Sequence, residues 1–210
     1  MTKVKICGIT DLEDARLAAK LGADMLGFNF YKNSLRFVEP EKAHDIISQL
    51  SVSVEKVGVF VNESQERILE IVKQAGLDSV QLHGDEDEDF IVKLSKLKAV
   101  PIIRAFRVSS SLAFDEAVNS TATFVLLDGY SESYFGGTGI TFDWSLAQEV
   151  TTILPKAVFL AGGLTAENVR QAVKTVRPYA VDVASGVESS PGKKDPKKLA
   201  AFIKAAKEAI

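Results

Sequence analysis

The chain has 210 residues, of which 46% are hydrophobic and 25% are charged, so it can bury one sizeable core and is too short for two ordinary domains. Its formal net charge of -3 gives no electrostatic support for binding nucleic acid or an anionic membrane. A single cysteine, Cys7, excludes an intrachain disulfide framework and a multi-cysteine metal site. With no secretory signal and no apolar run of about 20 residues, we expect one cytoplasmic domain over residues 1–210, with no membrane segment and no obligate protein partner.

Short β-branched runs alternate with helical stretches along the whole chain. The runs centre on Ile6, Gly27, Gly58, Val80, Ile103, Leu126, Phe159 and Asp182. Most successive centres lie roughly 22 residues apart, which is the length of one strand, one helix of three turns and two short loops. Eight such units predict an α/β fold, a single-domain (β/α)8 TIM barrel with a parallel eight-stranded barrel, in preference to an open doubly wound sheet.

Two steps in this pattern are longer than the others, one after the second predicted strand and one after the sixth. Each predicts an extended loop on the face where barrel enzymes keep their active sites. The later loop contains Gly136, Gly137 and Gly139, a pattern typical of the hinges of a mobile lid.

Local signals at the predicted helix starts agree with this division. Thr10 and Glu13 predict a capping box for the first helix, and Pro40 suits the first turn of the second. The charged segments DEDED from Asp85 and GKKDPKK from Gly192 are typical of solvated helix starts.

Side-chain alternation predicts which residues of the first strand face the barrel interior. If Cys7 points inward then Lys5 does too, because side chains two residues apart lie on the same face of a strand. A buried ammonium group needs a partner. Asp182 lies on the strand that closes against the first, so we predict an interior ion pair between Lys5 and Asp182.

Cys7 and Asp128 each end an inward-facing strand, the first and the sixth. In a closed barrel of eight strands these two positions face each other across the mouth. A thiol with an ordinary pKa of about 8.5 serves as a base near neutral pH. A carboxyl with an ordinary pKa of about 3.9 acts as an acid only where burial favours its protonated form. The pattern therefore predicts an acid–base pair, the alternatives being a small buried hydrophobe at Cys7 and a loop-entry aspartate at Asp128.

Two small-residue pairs end the last two strands. Gly162 and Gly163 follow the seventh, and Ser185 and Gly186 follow the eighth. Glycines let backbone N–H groups approach an anion, and a short helix starting near Val187 would direct its positive end at the same place. We predict a phosphate site here, and with neither nucleotide-binding glycine motif present, the ligand is a sugar phosphate.

Two further residues are candidates for substrate binding. Arg36 lies in the loop after the second strand, where its guanidinium could hold a carboxylate through two parallel hydrogen bonds. His83 follows the fourth strand and either contacts the substrate or holds a loop, whereas His44 lies mid-helix on the predicted surface. Because only one of the two histidines is near the mouth, a metal site is poorly supplied.

Several motifs occur in one order along nearly the whole chain: KICGIT, VGVFVN, QLHGDE, LLDG, GGTG followed by TFDW, LAGGL and VDVASGVE. Together they resemble the phosphoribosylanthranilate isomerase family. The resemblance implies an Amadori rearrangement of N-(5-phosphoribosyl)anthranilate in tryptophan biosynthesis, without metal or organic cofactor. It also implies that Asp128 protonates the ribose ring oxygen, that Cys7 removes the C2 proton and that Arg36 binds the anthranilate carboxylate.

The chain departs from this family in the loop that carries Arg36. Members often have prolines where Lys32 and Leu35 stand, so we expect a less rigid loop and a higher KM. Asn29 also occupies a position where we expect an aliphatic residue.

Other functions remain open from sequence alone. The related histidine-pathway isomerase acts on a substrate with two phosphates, and no second phosphate site is evident. A ribulose-phosphate epimerase would need metal ligands. A catalytically silent barrel that binds a sugar phosphate is compatible with the fold, and redox regulation through Cys7 is a third alternative, although an adjacent phosphate would oppose thiolate formation.

Overall fold

The computed structural model describes residues 1–97, 100–108, 111–129, 144–154 and 156–209. Eight strands form its centre: β1 (Lys3–Cys7), β2 (Met25–Asn29), β3 (Glu55–Phe60), β4 (Ser79–Leu82), β5 (Ile102–Val108), β6 (Phe124–Gly129), β7 (Val158–Leu160) and β8 (Ala180–Val183). Helices alternate with them: α1 (Leu12–Lys20), α2 (Pro40–Ser48), α3 (Gln65–Ala75), α4 (Glu88–Leu97), α5 (Ser111–Asn119), α6 (Trp144–Ile153), α7 (Val169–Val176) and α8 (Pro196–Lys207).

The eight strands form a closed parallel barrel in chain order, with β8 pairing against β1. This confirms the predicted (β/α)8 TIM barrel, and each predicted strand centre falls within an observed strand. The closing register places Lys5 opposite Asp182, while Cys7 lies opposite Gly27 of β2 on the other side. Closure of the barrel between β1 and β8 therefore brings Lys5 and Asp182 together, as the sequence predicts.

The core has two layers separated by the strands. Outward-facing residues such as Val4 and Ile6 are fully buried against the surrounding helices. A smaller apolar cluster fills the barrel interior, formed by Met25, Val57, Ile103, Ala105, Leu126, Phe159, Ala161 and Ala180. Alternation along each strand separates the two layers, as in other filled barrels.

Segments beyond the barrel strands shape the end where the strands terminate. The chain between β2 and α2 forms the first long loop, and a single 3-10 turn over Ser185–Val187 follows β8. It leads into a short antiparallel hairpin of β9 (Glu188–Ser190) and β10 (Lys193–Lys194). The predicted hinge glycines Gly136, Gly137 and Gly139 lie outside the described residues.

The start of α1 differs from the prediction. Asp11 is the N-cap, and its carboxylate accepts from the Asp14 backbone N–H, so the predicted capping box of Thr10 and Glu13 is wrong. The Thr10 hydroxyl instead donates to the Gly192 carbonyl at 2.6 Å, which ties the β1–α1 loop to the hairpin. Pro40 occupies the first turn of α2 as predicted.

None of the helices in the described ranges is both long enough and apolar enough to cross a membrane.

Candidate active site

A cavity of about 660 Å³ opens at the carboxyl ends of the barrel strands. All eight residues proposed from the sequence line it: Cys7, Arg36, His83, Asp128, Gly162, Gly163, Ser185 and Gly186. The parallel barrel explains this convergence, because every strand delivers its last residues to the same end. Residues up to 179 positions apart in the sequence thus line the same cavity.

Cys7 lies half-buried at the end of β1, above the predicted interior ion pair. Lys5 Nζ is fully buried and donates to Asp182 Oδ1 at 2.9 Å, which confirms that prediction. Gly27 leaves room for both groups: a Cβ there would lie 2.8 Å from Cys7 Sγ and 3.1 Å from Lys5 Nζ. Burial raises the pKa of the Cys7 thiol, and the Lys5 ammonium opposes that rise.

Asp128 is buried at the end of β6, with 5% of its surface exposed. Its Oδ2 lies 3.2 Å from His83 Nε2, and His83 Nδ1 lies 2.9 Å from Gln81 Nε2. The His83 ring thus bridges the Gln81 amide and the Asp128 carboxyl through its two nitrogens. The His83 ring therefore holds the carboxyl in place as well as lining the cavity, and sequence reasoning had missed Gln81 as its support.

Arg36 lines the cavity and forms an ion pair with Glu188, a residue that sequence reasoning overlooked. Its Nε and Nη2 donate to the two carboxylate oxygens of Glu188, at 2.9 and 2.7 Å. The same carboxylate accepts from Lys194 Nζ at 2.8 Å. Burial would raise the pKa of Glu188, but Arg36 and Lys194 outweigh it and hold that pKa below its usual range.

A helix starts in the GKKDPKK segment as predicted, with Asp195 as the N-cap of α8, but the segment is not solvated at Lys194. Its side chain is buried, and Nζ donates to the Cys7 carbonyl at 2.6 Å as well as to Glu188. The DEDED segment likewise starts a helix, α4, from Glu88, but Glu86 is buried and paired with Arg104 at 2.9 Å. Both segments therefore contain buried ion pairs.

Asn29 organises the loop that carries Arg36, which accounts for a polar residue at the end of β2. Its Oδ1 accepts from the Tyr31 backbone N–H at 2.9 Å, and its Nδ2 donates to Ser34 Oγ at 3.1 Å. That hydroxyl in turn accepts from the Arg36 backbone N–H at 3.1 Å. The side chain thus ties together a loop that lacks the prolines expected at Lys32 and Leu35.

The loops after β7 and β8 contact each other at the cavity wall. Gly162 and Gly163 have φ of 85° and 60°, a conformation that favours glycine. A Cβ on Gly186 would lie 2.0 Å from the Leu164 carbonyl oxygen, so the close approach of the two loops requires glycine there. The helical turn starts at Ser185 and ends at Val187, so the expectation of a helix starting near Val187 is wrong.

The described residues contain no group of three or more histidine, cysteine, aspartate or glutamate side chains placed to hold a metal ion. His44 is exposed on α2, as predicted.

Replacing Glu188 with glutamine is expected to lower the free energy of unfolding by about 3 kcal/mol at pH 7, because it leaves Arg36 and Lys194 without a buried countercharge. The folded-state pKa of Glu188 lies below its usual value, so its stabilisation is present above about pH 4.3 and is lost as the pH falls through the lower folded value. Urea unfolding of both proteins from pH 7 to pH 3 measures this difference.

The difference between wild type and Glu188→Gln should shrink as the pH falls. Asp45→Asn, at an exposed position of α2, is the control and should change the stability little at any pH. A difference between wild type and Glu188→Gln that stays constant over this range would contradict the assigned linkage.

Comparison with known proteins gives consistent matches over the chain. The family model described as N-(5'-phosphoribosyl)anthranilate (PRA) isomerase matches residues 4–205. An N-(5'-phosphoribosyl)anthranilate isomerase of Trichlorobacter lovleyi is 49% identical over 210 residues, which is 100% of both chains. The solved phosphoribosyl anthranilate isomerase of Thermotoga maritima is 44% identical, with a TM-score of 0.92 over 99% of each chain. Another solved phosphoribosyl anthranilate isomerase, in complex with reduced 1-(o-carboxyphenylamino)-1-deoxyribulose 5-phosphate, is 43% identical, with a TM-score of 0.89 over 99% of each chain.

Proposed function

The chain belongs to the N-(5'-phosphoribosyl)anthranilate isomerase family, and from this membership we propose how the residues of its cavity divide the reaction. It is an intramolecular isomerase of tryptophan biosynthesis that converts N-(5'-phosphoribosyl)anthranilate to 1-(2-carboxyphenylamino)-1-deoxyribulose 5-phosphate. The observation that carries the proposed roles is that one cavity is lined by a thiol, a buried carboxyl, an arginine and two glycine loops.

Asp128 is the general acid of the proposed mechanism. Opening the ribose ring requires a proton on the ring oxygen as its bond to C1 breaks, and a buried carboxyl is suited to deliver it. The bond electrons stay on the oxygen, and the nitrogen lone pair forms the iminium at C1. His83 supports this role by fixing the orientation of the Asp128 carboxyl, at 3.2 Å.

Cys7 is the general base. Its thiolate removes the proton from C2 of the iminium, and the C–H electrons form the enolamine. The enolamine becomes the ketone when its hydroxyl loses a proton and C1 gains one. One turnover thus leaves a proton on Cys7 and none on Asp128, and exchange with solvent restores both groups.

Arg36 binds the anthranilate carboxylate in this proposal. The edge formed by Nε and Nη2 already contacts Glu188, so the carboxylate uses the other edge, formed by Nη1 and the second hydrogen of Nη2. Glu188 fixes the guanidinium plane before substrate arrives, which lowers the entropy lost on binding. This refines the sequence prediction, which treated the guanidinium as free.

The phosphate lies against the loops after β7 and β8, at Gly162, Gly163, Ser185 and Gly186. Backbone N–H groups of glycine-rich turns approach an anion closely, and barrels of this kind commonly bind phosphate at this position. The support is that all four residues line the same cavity as Cys7 and Asp128.

A fluorescence progress curve with freshly generated phosphoribosylanthranilate tests the proposed function. We expect wild type to consume the substrate far faster than the uncatalysed reaction. Folded protein that gives only the uncatalysed rate would overturn the assignment, and the histidine-pathway substrate with its two phosphates would then be assayed next.

Asn29→Val is expected to raise KM about threefold to tenfold with little change in kcat. The change removes the two hydrogen bonds to Tyr31 and Ser34, so the loop loses order that substrate binding must then restore. Steady-state kinetics on both proteins measures it.

Leu35→Pro is the matched variant for this experiment. A proline restricts the backbone of the same loop without using the Asn29 hydrogen bonds, and the Leu35 side chain that it replaces is 78% exposed. In the Asn29→Val background it should recover part of the lost affinity, and alone it should lower KM. An unchanged KM in Asn29→Val would show that Asn29 does not position Arg36.

A further inference from the structure

Lys5 places a charge in the interior of the barrel. It is fully buried, and its neighbours in the barrel interior are largely apolar. Removing two charges from water costs about as much as their attraction returns, and well-packed apolar residues often replace a buried ion pair without loss of stability. The pair between Lys5 and Asp182 therefore calls for an explanation other than stability.

Geometry places the Lys5 ammonium beside the reacting thiol. Lys5 and Cys7 are two residues apart on β1 and point to the same face, and both approach the bare backbone of Gly27 on β2, with Nζ and Sγ at 3.1 and 2.8 Å from the position that a Cβ would occupy there. A side chain at Gly27 would crowd both groups. Asp182, opposite Lys5 on β8, holds the ammonium from the other side at 2.9 Å.

We propose that Lys5 is a positioning residue for the isomerisation: its ammonium group, held by Asp182 and brought against Cys7 by the absence of a side chain at Gly27, stabilises the thiolate form of Cys7. This rests on the proposed role of Cys7 as the general base. Lys5 does not touch the substrate and exchanges no proton with it. It acts by increasing the fraction of Cys7 that can accept the C2 proton.

The charged groups around Cys7 support this assignment. Besides Lys5 on β1 and Asp182 on β8, the thiol faces the Arg36 guanidinium of the β2–α2 loop and Lys194 of β10. Glu188 of β9 pairs with both of these cations. These three cations and two carboxylates leave one positive charge, which a single thiolate balances.

The directions of the pKa shifts agree with that balance. Burial raises the pKa of the Cys7 thiol, and Lys5 opposes the rise through its charge and a hydrogen bond. Burial would lower the pKa of Lys5, but Asp182 and Cys7 outweigh it, so the ammonium stays charged. At Lys194 burial dominates and lowers the pKa. Lys5 is therefore the cation best able to keep its charge beside the thiol.

The single cysteine of the chain makes this proposal directly measurable. The rate of alkylation by iodoacetamide, followed against pH in a phosphate-free buffer, reports the titration of Cys7 without any turnover. In Lys5→Gln, which removes the positive charge and keeps a polar side chain, the thiol should titrate at a higher pH and alkylation at pH 8 should slow about tenfold, the effect of one pKa unit. The acid-side limb of kcat/KM should move in the same direction.

Lys3→Gln is the matched control. It makes the same change of charge on the same strand, but Lys3 lies over the Tyr179 ring, roughly 13 Å of strand from Cys7 at 3.3 Å per residue. It should leave the alkylation profile unchanged. Should Lys5→Gln fail to fold, Gly27→Ala tests the same contact, because it keeps both charges and places a methyl group against the thiol and the ammonium, which must move to accommodate it.

An alkylation profile that is unchanged in folded Lys5→Gln, or in Gly27→Ala where only that variant folds, would overturn the proposal. The alkylation result does not depend on the proposed function, because alkylation requires no turnover. A shifted alkylation profile with an unshifted activity profile would retain the contact between Lys5 and Cys7 but would refute its role in catalysis, and Cys7 as the base with it.

Discussion

Replacing Asp128 with asparagine is expected to lower kcat by about a hundredfold or more, because the amide cannot deliver a proton to the ring oxygen. The loss should fall mainly on kcat and leave KM within a few-fold, since the proton transfer develops only as the ring opens. Progress curves at saturating and limiting phosphoribosylanthranilate separate the two constants.

The fold of Asp128→Asn should survive, which makes the kinetic result interpretable. The amide has both a donor and an acceptor, so it can keep the contact with His83 Nε2 at 3.2 Å. Asp45→Asn makes the same chemical change on the exposed face of α2 and should retain full activity. If Asp128→Asn kept more than about a tenth of the wild-type kcat, a carboxyl proton at this position would not be required, and the acid would have to be another group lining the cavity.

Much of the fold was predictable because it depends on local periodicity. Strand and helix units repeat at a nearly constant length, and side-chain alternation determines which residues face inward. Alternation alone placed Lys5 inside the barrel, and the known closure of such barrels then identified Asp182 as its partner. The same reasoning placed Cys7 and Asp128 at the mouth, where the structure has both.

Two of the residues that sequence reasoning missed have roles that depend on a distant segment. Glu188 of the β9–β10 hairpin pairs with both Arg36 and Lys194, and the charged sequence around Lys194 resembles that of a solvated helix start. No period in the sequence distinguishes a buried lysine from an exposed one when its partner lies outside the regular barrel units.

Side chains that satisfy backbone groups were also beyond the sequence patterns. Asn29 replaces an expected aliphatic residue because its amide closes hydrogen bonds within the following loop. At α1, Asp11 is the N-cap in place of Thr10, because the Thr10 hydroxyl donates to the hairpin instead. The first case is decided by the local conformation of the loop and the second by a tertiary contact, and neither is visible in the hydrophobic pattern.

Cys7→Ala is expected to lower kcat by about a hundredfold or more, because no other group is assigned to take the C2 proton. Wild-type kcat/KM should rise with pH over the range in which the thiol ionises, since only the thiolate accepts a proton and burial places the pKa of Cys7 above its ordinary value. Stopped assays of phosphoribosylanthranilate consumption from pH 6 to pH 9 measure the profile.

Cys7→Ser distinguishes loss of the base from loss of packing. Serine has nearly the size of cysteine, and the Lys194 contact to the backbone carbonyl of residue 7, at 2.6 Å, does not involve the side chain. A hydroxyl does not ionise in this range, so Cys7→Ser should be as slow as Cys7→Ala, and its residual rate should lack the rise of wild type with pH. A serine variant that recovered most of the wild-type rate, or that kept the same pH profile, would show that the base lies elsewhere in the cavity and that the ammonium of Lys5 serves another group.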